Sequence, residues 1–233
     1  MSGAPFISVV IPVLGEEAVI NHCLDRVRRS ATGSGPFEII VVDADPDGGT
    51  LAAMKPDAAR GFIAPRGRAA QMNAGAREAR GDVLLFLHAD TELPAGWPAA
   101  VGAALADGDV VGGAFDMEID SDRLIYRVIA RMSSRKHRIT RVPYGDQAIF
   151  LRRAYFERIG RFREIPLMED VELMKRVKRL GGRIAFLDER VRTSPRRWER
   201  EGVLYATLRN YLLQILYCAG VSPERLVRLY YRR

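Results

Sequence analysis

The sequence predicts an α/β fold with a mostly parallel central sheet flanked by helices, and three observations carry that expectation. Phe6 to Leu14 and Phe37 to Asp43 are continuous apolar runs rich in Val and Ile, without the strict alternation of a half-exposed strand. Strands covered on both faces look like this. Between them, Glu16 to Arg29 gathers Val19, Ile20, Cys23, Leu24 and Val27 on one helical face, with Arg26, Arg28 and Arg29 elsewhere. The two patterns then keep alternating, as parallel strands with crossover helices require.

Taken in order, Glu16 and Glu17 are expected in the first turn of that helix, where the helix dipole favours acids. A short helix near Gly49 to Lys55, a strand near Gly61 to Ala64, a helix from Gly67 to Ala79 and a strongly apolar strand from Asp82 to Leu87 complete a doubly wound first half. After a helix from Trp97 to Ala106 the pattern loosens into an α+β second half. It contains a strand from Val110 to Ile119, a basic helix from Asp122 to Arg138, a strand from Gln147 to Leu151 and a helix from Glu169 to Leu180. Short strands near Arg183 to Leu187 and Val191 to Thr193 precede helices from Gly202 to Ala219 and Pro223 to Tyr231. No internal repeat or low-complexity linker parts the halves, so residues 1–233 read as one domain, divided near residue 107 and with C-terminal helices from about 201.

Composition narrows the function classes. A chain that is 48% hydrophobic and 28% charged is neither disordered, collagen-like nor a coiled coil. Cys23 and Cys218 are too few for a disulfide framework or a thiolate metal cluster, and both read as inert helix-packing residues. The first residues lack the basic start and small-residue cleavage pattern of an export signal, so a cytoplasmic setting is expected. Val203 to Val221 is apolar, but Arg209, Asn210 and Gln214 interrupt it where a membrane span would bury them, so it reads as an amphipathic or core helix. A net charge of +7 points to anionic partners. Nucleic acid is disfavoured, because neither a groove-reading motif nor interleaved aromatics are present. Arg123, Arg127, Arg131 and Arg135 recur every four residues. With exposed Leu124, Ile125 or Tyr126 such a helix would hold the chain peripherally at an anionic membrane, at its inner face. Otherwise it is a solvated face.

Chemistry is expected at the carboxyl ends of the strands, where open α/β sheets bind ligands. Three apolar runs end informatively, in Pro12-Val13-Leu14-Gly15-Glu16-Glu17, in Asp43-Ala44-Asp45-Pro46-Asp47-Gly48-Gly49-Thr50, and in His88-Ala89-Asp90-Thr91. So many acids on one edge of a basic protein repel each other unless a cation or a donor-rich ligand lies between them. Asp43 and Asp90 are the functional candidates, whereas Asp45 and Asp47 are equally explained as turn residues. Gly67-Arg68-Ala69-Ala70-Gln71-Met72-Asn73-Ala74-Gly75 opens a helix after a strand, a place for an anion with Arg68 as an added fork of donors. Small residues there also let a helix lie close to the sheet. Glu169-Asp170 starts another helix, which suits a catalytic carboxylate and an ordinary first-turn acid alike.

In this order the motifs resemble the family 2 glycosyltransferases of GT-A fold. Gly67 to Asn73, Leu87 to Thr91, Tyr144-Gly145-Asp146-Gln147 and Leu167 to Leu173 also resemble a small bacterial subgroup described with radical-SAM and selenium-related neighbours. The resemblance covers residues 6 to about 200. It implies inverting transfer of a sugar from a nucleoside diphosphate sugar, UDP before GDP, to an acceptor that is lipid-linked or a small metabolite. Residues to about 107 would form the nucleotide-binding half and residues 108–200 the acceptor and catalytic half.

The implied donor site is Pro12, Val13, Leu14, Glu16, Asp43, Arg68, Gln71, Asn73, His88, Ala89 and Asp90. Gly145, Asp146, Gln147, Arg196, Arg197 and Trp198 would meet the acceptor or donor sugar, with Asp170 as general base and Glu169 assisting. Arg196 to Trp198 also reads as an exposed basic loop anchored by one aromatic, and Asp146-Gln147 as a strand-entry turn. Gly15, Ala44, Met72 and His88 depart from the family, and His88 replaces the first Asp of its metal motif. A divalent cation, Mn²⁺ or Mg²⁺, would then rest on Asp90 with imidazole or diphosphate making up the set, or His88 would donate to phosphate or sugar. Two other readings share the architecture. A sugar nucleotidyltransferase would need a glycine-rich basic loop that Val13 to Glu17 does not supply, and a non-catalytic basic module would bind nucleotide, lipid or nucleic acid without turnover.

Overall fold

In the computed structural model, which describes residues 4–32 and 35–230, the first half is a run of parallel strands joined by helices. It comprises β1 (Ile7–Val13), α1 (Ile20–Ser30), β2 (Phe37–Asp43), α2 (Gly49–Ala52), β3 (Arg60–Ile63), α3 (Arg68–Glu78) and β4 (Val83–Phe86). The second half comprises β5 (Thr91–Glu92), α4 (Trp97–Ala104), β6 (Val110–Ile119), α5 (Leu124–Thr140), β7 (Phe150–Arg152), α6 (Arg153–Arg158), α7 (Glu169–Arg179) and β8 (Arg183–Thr193). Three helices follow, α8 (Arg196–Glu201), α9 (Val203–Cys218) and α10 (Pro223–Tyr230); Tyr231, the expected end of the last, lies outside the described residues.

One eight-stranded sheet, ordered β3-β2-β1-β4-β7-β6-β8-β5, runs through the molecule. β1 pairs parallel with β2 and β4, β2 with β3, and β6 with β8. β7 runs antiparallel between β4 and β6, and β5 antiparallel to β8, so the sheet is mixed. Register sets Val13 beside Asp43 and Val10 beside Phe86, which brings the segments after β1, β2 and β4 out at the same edge.

Both faces of the sheet are covered, which is why β1 and β2 lack alternation. Val9, Ile11, Ile39, Val41 and Leu85 pack under α1 and α4 on one face, while Val10, Ile40, Val42, Leu84 and Phe86 pack under α3, α6 and α7 on the other. Trp97 is fully buried, edge-on to Phe37, with its indole N–H donating to the Val27 carbonyl at 3.2 Å. A smaller cluster of Met117, Ile119, Tyr126 and Ala130 seats α5 on the end of β6.

α3 lies close to the sheet because Gly75 faces it: a Cβ there would stand 2.4 Å from Val10 Cγ1 and 3.2 Å from Val42 Cγ2. Gly75→Ala is expected to cost about 1–3 kcal/mol through overpacking. Urea unfolding checks this, and a parental midpoint would refute it.

Several boundaries move. α1 begins at Ile20, so Glu16 and Glu17 sit in the preceding turn, where the Glu16 carbonyl accepts from the N–H groups of Val19 and Ile20. The two short strands expected before residue 194 are one strand, β8, whose pairing with β6 shifts register between Phe115 and Asp116. β5 and α6 escape periodicity because they span two and six residues. Arg196 to Glu201 is helical rather than a loop. Cys23 is buried in α1 and burial pushes its thiol up to about 12, whereas Cys218 is exposed, so the packing expectation fails for the second cysteine.

His137 on α5 is fully buried, 4.2 Å centroid to centroid from the Tyr144 ring. Burial and the neighbouring Lys136 ammonium hold its pKa at about 3, against a hydrogen bond with Gln147 that raises it. Since the unfolded chain binds this proton near pH 6.5 and the folded chain does not, stability is full above that pH and falls as the pH drops towards 3. Going from pH 7 to pH 5 is expected to remove about 2 kcal/mol through this group. Urea titrations of parent and His137→Gln at both values check this; an equal acid loss in both would refute it.

Candidate active site

A cleft of about 1370 Å³ opens at the carboxyl edge of β1, with Pro12, Val13, Leu14 and Glu16 on one wall and the start of α3, from Gly67 to Gln71, on another. Gly15 has φ +67°, a left-handed turn that glycine adopts freely and asparagine tolerates, which accounts for glycine at this position. Gly67, at φ +136°, turns the chain into α3, whose first residues line the cleft with Arg68. The cleft desolvates the Arg68 guanidinium, but the carboxylates of Glu169, Asp170 and Asp90 outweigh this and hold it charged.

Opposite lie the acids. Glu169 is buried on the cleft wall, and its carboxyl is held well above the usual carboxylate range by burial and by the neighbouring Asp170 charge, with Arg68 opposing. Asp170 accepts the Gly145 N–H on Oδ2 at 2.6 Å and the Val171 N–H on Oδ1 at 2.7 Å. An acid serving the helix alone has no need of a partner 25 residues away. Asp146 is pushed up to about 6 by burial and by the charges of Asp170 and Asp90, against the pull of Arg197, and its Oδ1 is buried without a hydrogen-bond partner. His88 is held neutral by burial and by the cations of Arg68 and Arg197. Burial and the charges of Asp90 and Glu17 raise Glu16, although Arg196 counters them.

Backbone strain marks the same two motifs. Met168 before Glu169 has φ +68° and Ala148 after Gln147 has φ +47°, both unusual for residues with a Cβ. A mostly buried ion pair, Arg176 to Glu172 at 2.9 Å, lies on α7, and the Arg176 guanidinium also donates to the carbonyls of Ile159 and Arg161. Those bonds tie the loop before Glu169 to its helix.

The amide side chains of the motifs do something other than expected. Gln71 is buried and donates to the carbonyls of Val13 and Val42, both at 2.8 Å, which staples the ends of β1 and β2. Asn73 spends both amide atoms on the backbone of Phe162, at 2.9 and 3.0 Å, and so pins α3 instead of reaching a donor. Gln147 is fully buried, donating to the Phe115 carbonyl and accepting from the Tyr144 N–H. Asp43, also fully buried, accepts the N–H groups of Asp45 and Thr50 and shapes the turn after β2. Asp45 accepts from Asp47 and Gly49, in keeping with a turn residue. Trp198 packs edge-on to Tyr126, whereas Arg197 of the same helix lines the cleft. Ala89, between His88 and Asp90, packs against the core. Thus Glu16, Arg68, Glu169 and Arg197 line the cleft, whereas Asp43, Asn73, Gln147 and Trp198 hold the frame and Gln71 does both.

The model of the family described as glycosyl transferase family 2 matches residues 8–163. The chain belongs to that family.

Among family relatives, the PGL/p-HBAD biosynthesis glycosyltransferases of Mycobacterium tuberculosis and Mycobacterium bovis are 34% identical over 181 residues, covering 67% of this chain. The chain spans 63% of their length. A mannosyltransferase from Pyrobaculum calidifontis, solved with GDP-Man and Mn²⁺, superposes with TM-score 0.67 at 21% identity over 97% of this chain and 69% of its own. S. aureus TarS superposes with TM-score 0.60 at 17% identity over 90% of this chain and 39% of its own. These likenesses establish the GT-A fold.

Metal fit can be judged from the donor set. No group of three or more His, Cys, Asp or Glu side chains poised for a cation occurs among the described residues. Asp90 and neutral His88 do not make a complete site alone, yet they suit a hydrated divalent ion whose other oxygens come from diphosphate. Asp146, whose Oδ1 is buried without a hydrogen-bond partner and whose carboxyl feels the Asp90 charge, would offer such an ion a further oxygen.

The C-terminal helices contribute residues that sequence reasoning missed. Tyr205 and Arg209 of α9 and Tyr230 of α10 line the cleft, with Arg66 and Arg200. Arg209 is held by Glu201 at 2.6 Å and stacks over the rings of Tyr205, at 5.4 Å, and Tyr230, at 4.3 Å. Its place inside an apolar run was the available signal.

Proposed function

We propose that this chain transfers a sugar from a nucleoside diphosphate sugar, a UDP-sugar first, to an acceptor hydroxyl with inversion, using Asp170 as the base. The charge layout of one cleft carries the reading. Arg68, Arg197 and Arg209 supply cations for a diphosphate, and Glu169 and Asp170 supply acids on the facing side. The nucleotide-sugar complexes of the two solved relatives, GDP-Man in the mannosyltransferase and UDP-GlcNAc in TarS, support this class of donor.

In the step, the acceptor oxygen bonds the anomeric carbon as the bond to the β-phosphate oxygen breaks, its electron pair leaving with the nucleoside diphosphate. Asp170 takes the acceptor proton, oriented by the Gly145 N–H. Arg68 and Arg197 meet the charge that grows on the leaving group. Glu169, held above the usual carboxylate range by burial and the Asp170 charge, assists Asp170 in handling the acceptor proton. Asp90 and His88 would hold a Mn²⁺ or Mg²⁺ ion, which when bound supplies Lewis-acid neutralisation of the diphosphate. The acceptor is lipid-linked or a small metabolite.

Calorimetric binding of UDP, GDP, CDP and dTDP, with and without Mn²⁺, tests the reading. One nucleotide is expected to bind selectively, Mn²⁺ tightening it by at least about tenfold, and Asp90→Asn is expected to remove that gain. Absence of binding under every condition would leave a basic lipid- or nucleic-acid-binding module on the same fold.

A further inference from the structure

α5 and α9 lie side by side. Lys136 of α5 sets its ammonium 4.6 Å from the Tyr211 ring centroid and hydrogen-bonds the Gln214 carbonyl, both on α9. Each helix buries one side, through Tyr126, Ala130 and His137 on α5 and through Ala206 and Leu213 on α9. Their outer sides should then be polar, and they are not. On α5, Leu124, Val128, Met132 and Ile139 follow one another at helical spacing and are 44% to 82% exposed. On α9, Leu204, Leu208, Leu212 and Ile215 do the same at 54% to 71%. Ten of the fourteen exposed large apolar side chains in the described residues sit on these two helices, so they form a patch and not a scatter. Tyr126, by contrast, points inward and is fully buried.

Charge selects the occupant. Arg127, Arg131 and Arg135 recur one turn apart on α5 along the flank of its apolar stripe. Within the described residues they have no hydrogen-bond or ion-pair partner, whereas Arg138 is tied to Asp116 and Asp188. A second copy docked on this face would bring identical arginines into the same contact, a like-charge juxtaposition. A surface of anionic head groups over hydrocarbon satisfies both the stripe and the arginines at once. No helix among the described residues is long and apolar enough to cross a membrane, so the contact lies in the interface plane.

We propose that the joint α5–α9 face docks the protein on an anionic lipid bilayer. Lys136 also bonds the Tyr144 hydroxyl at 2.9 Å, next to Gly145 and Asp146, while α9 carries Tyr205 and Arg209 to the cleft. A docked molecule therefore presents its acceptor side to the membrane, a consequence that rests on the transfer reading, although the docking itself does not.

Flotation of the full chain with phosphatidylcholine vesicles, with and without phosphatidylglycerol, tests this without any turnover. Binding to the mixed vesicles is expected, at least about tenfold above the neutral ones and reduced by salt. Val128→Asp with Leu208→Asp, both at exposed positions, is expected to abolish it while nucleotide affinity and the melting temperature stay parental. Reversing Arg127, Arg131 and Arg135 to Glu is expected to remove the preference for the anionic lipid. Failure to float with either vesicle, or flotation unchanged by both variants, would overturn the proposal. So would a concentration-dependent dimer of the parent that the Asp variant splits, since a second copy would then cover the face.

Discussion

Asp170→Asn is expected to slow transfer by about 10²–10⁴-fold while nucleotide affinity stays within about twofold of the parent. Asparagine keeps the size of the side chain and an oxygen for the Gly145 N–H, so the loop that Asp170 holds at 2.6 Å is preserved. What it loses is the capacity to take the acceptor proton. Single-turnover release of nucleoside diphosphate, read beside calorimetric binding, separates the two effects. A rate near the parent's would remove Asp170 as base. A comparable loss in Glu169→Gln with none in Asp170→Asn would transfer the role to the neighbouring carboxylate.

Gly145→Ala is expected to slow the same reaction by about 10²-fold, because small misplacement of a reacting group is enough to cost that much. A Cβ at this position would stand 3.1 Å from His88 Nε2 and 3.3 Å from Asp170 Oδ2, tighter than ordinary carbon contacts. Backbone must pass between imidazole and carboxylate with no side chain, and the same residue donates its N–H to Asp170. An unchanged melting temperature with a reduced rate is the expected pair of readings. A parental rate would show that His88 and Asp170 give way without consequence, and that their spacing is not part of the reaction.

Much of this was legible in sequence because parallel strands under two helical layers leave a strong local trace. Runs rich in Val and Ile without alternation in β1 and β2 announced burial on both faces, and apolar clusters pack on both sides of these strands. Small elements were not legible, since β5 with two residues and α6 with six are shorter than any period that would reveal them. Nor was the reversal at β7, whose three residues carry no mark of direction and which pairs antiparallel on both sides.

The sequence by itself determined the fold class and the segments that meet at the sheet edge, because strand ends and helix starts follow from local apolar patterning, and the order of its motifs carried the resemblance to the family. Tertiary structure decided where each member of a motif lies and which groups it bonds. Gln71, Asn73 and Gln147 are polar and adjacent to charged motif residues, so along the chain they read as ligand contacts. Only packing shows that their partners are backbone groups of Val13, Phe162 and Phe115, from 32 to 89 residues away. A buried carbonyl or N–H left by a loop needs a partner, and an inward amide satisfies it. Arg68 and Arg197 line the cleft instead, since a charge is buried at a high cost unless it is paired. The same distinction holds for the apolar face of α5 and α9: sequence shows that the residues are hydrophobic, but their exposure follows from where the two helices dock on the sheet.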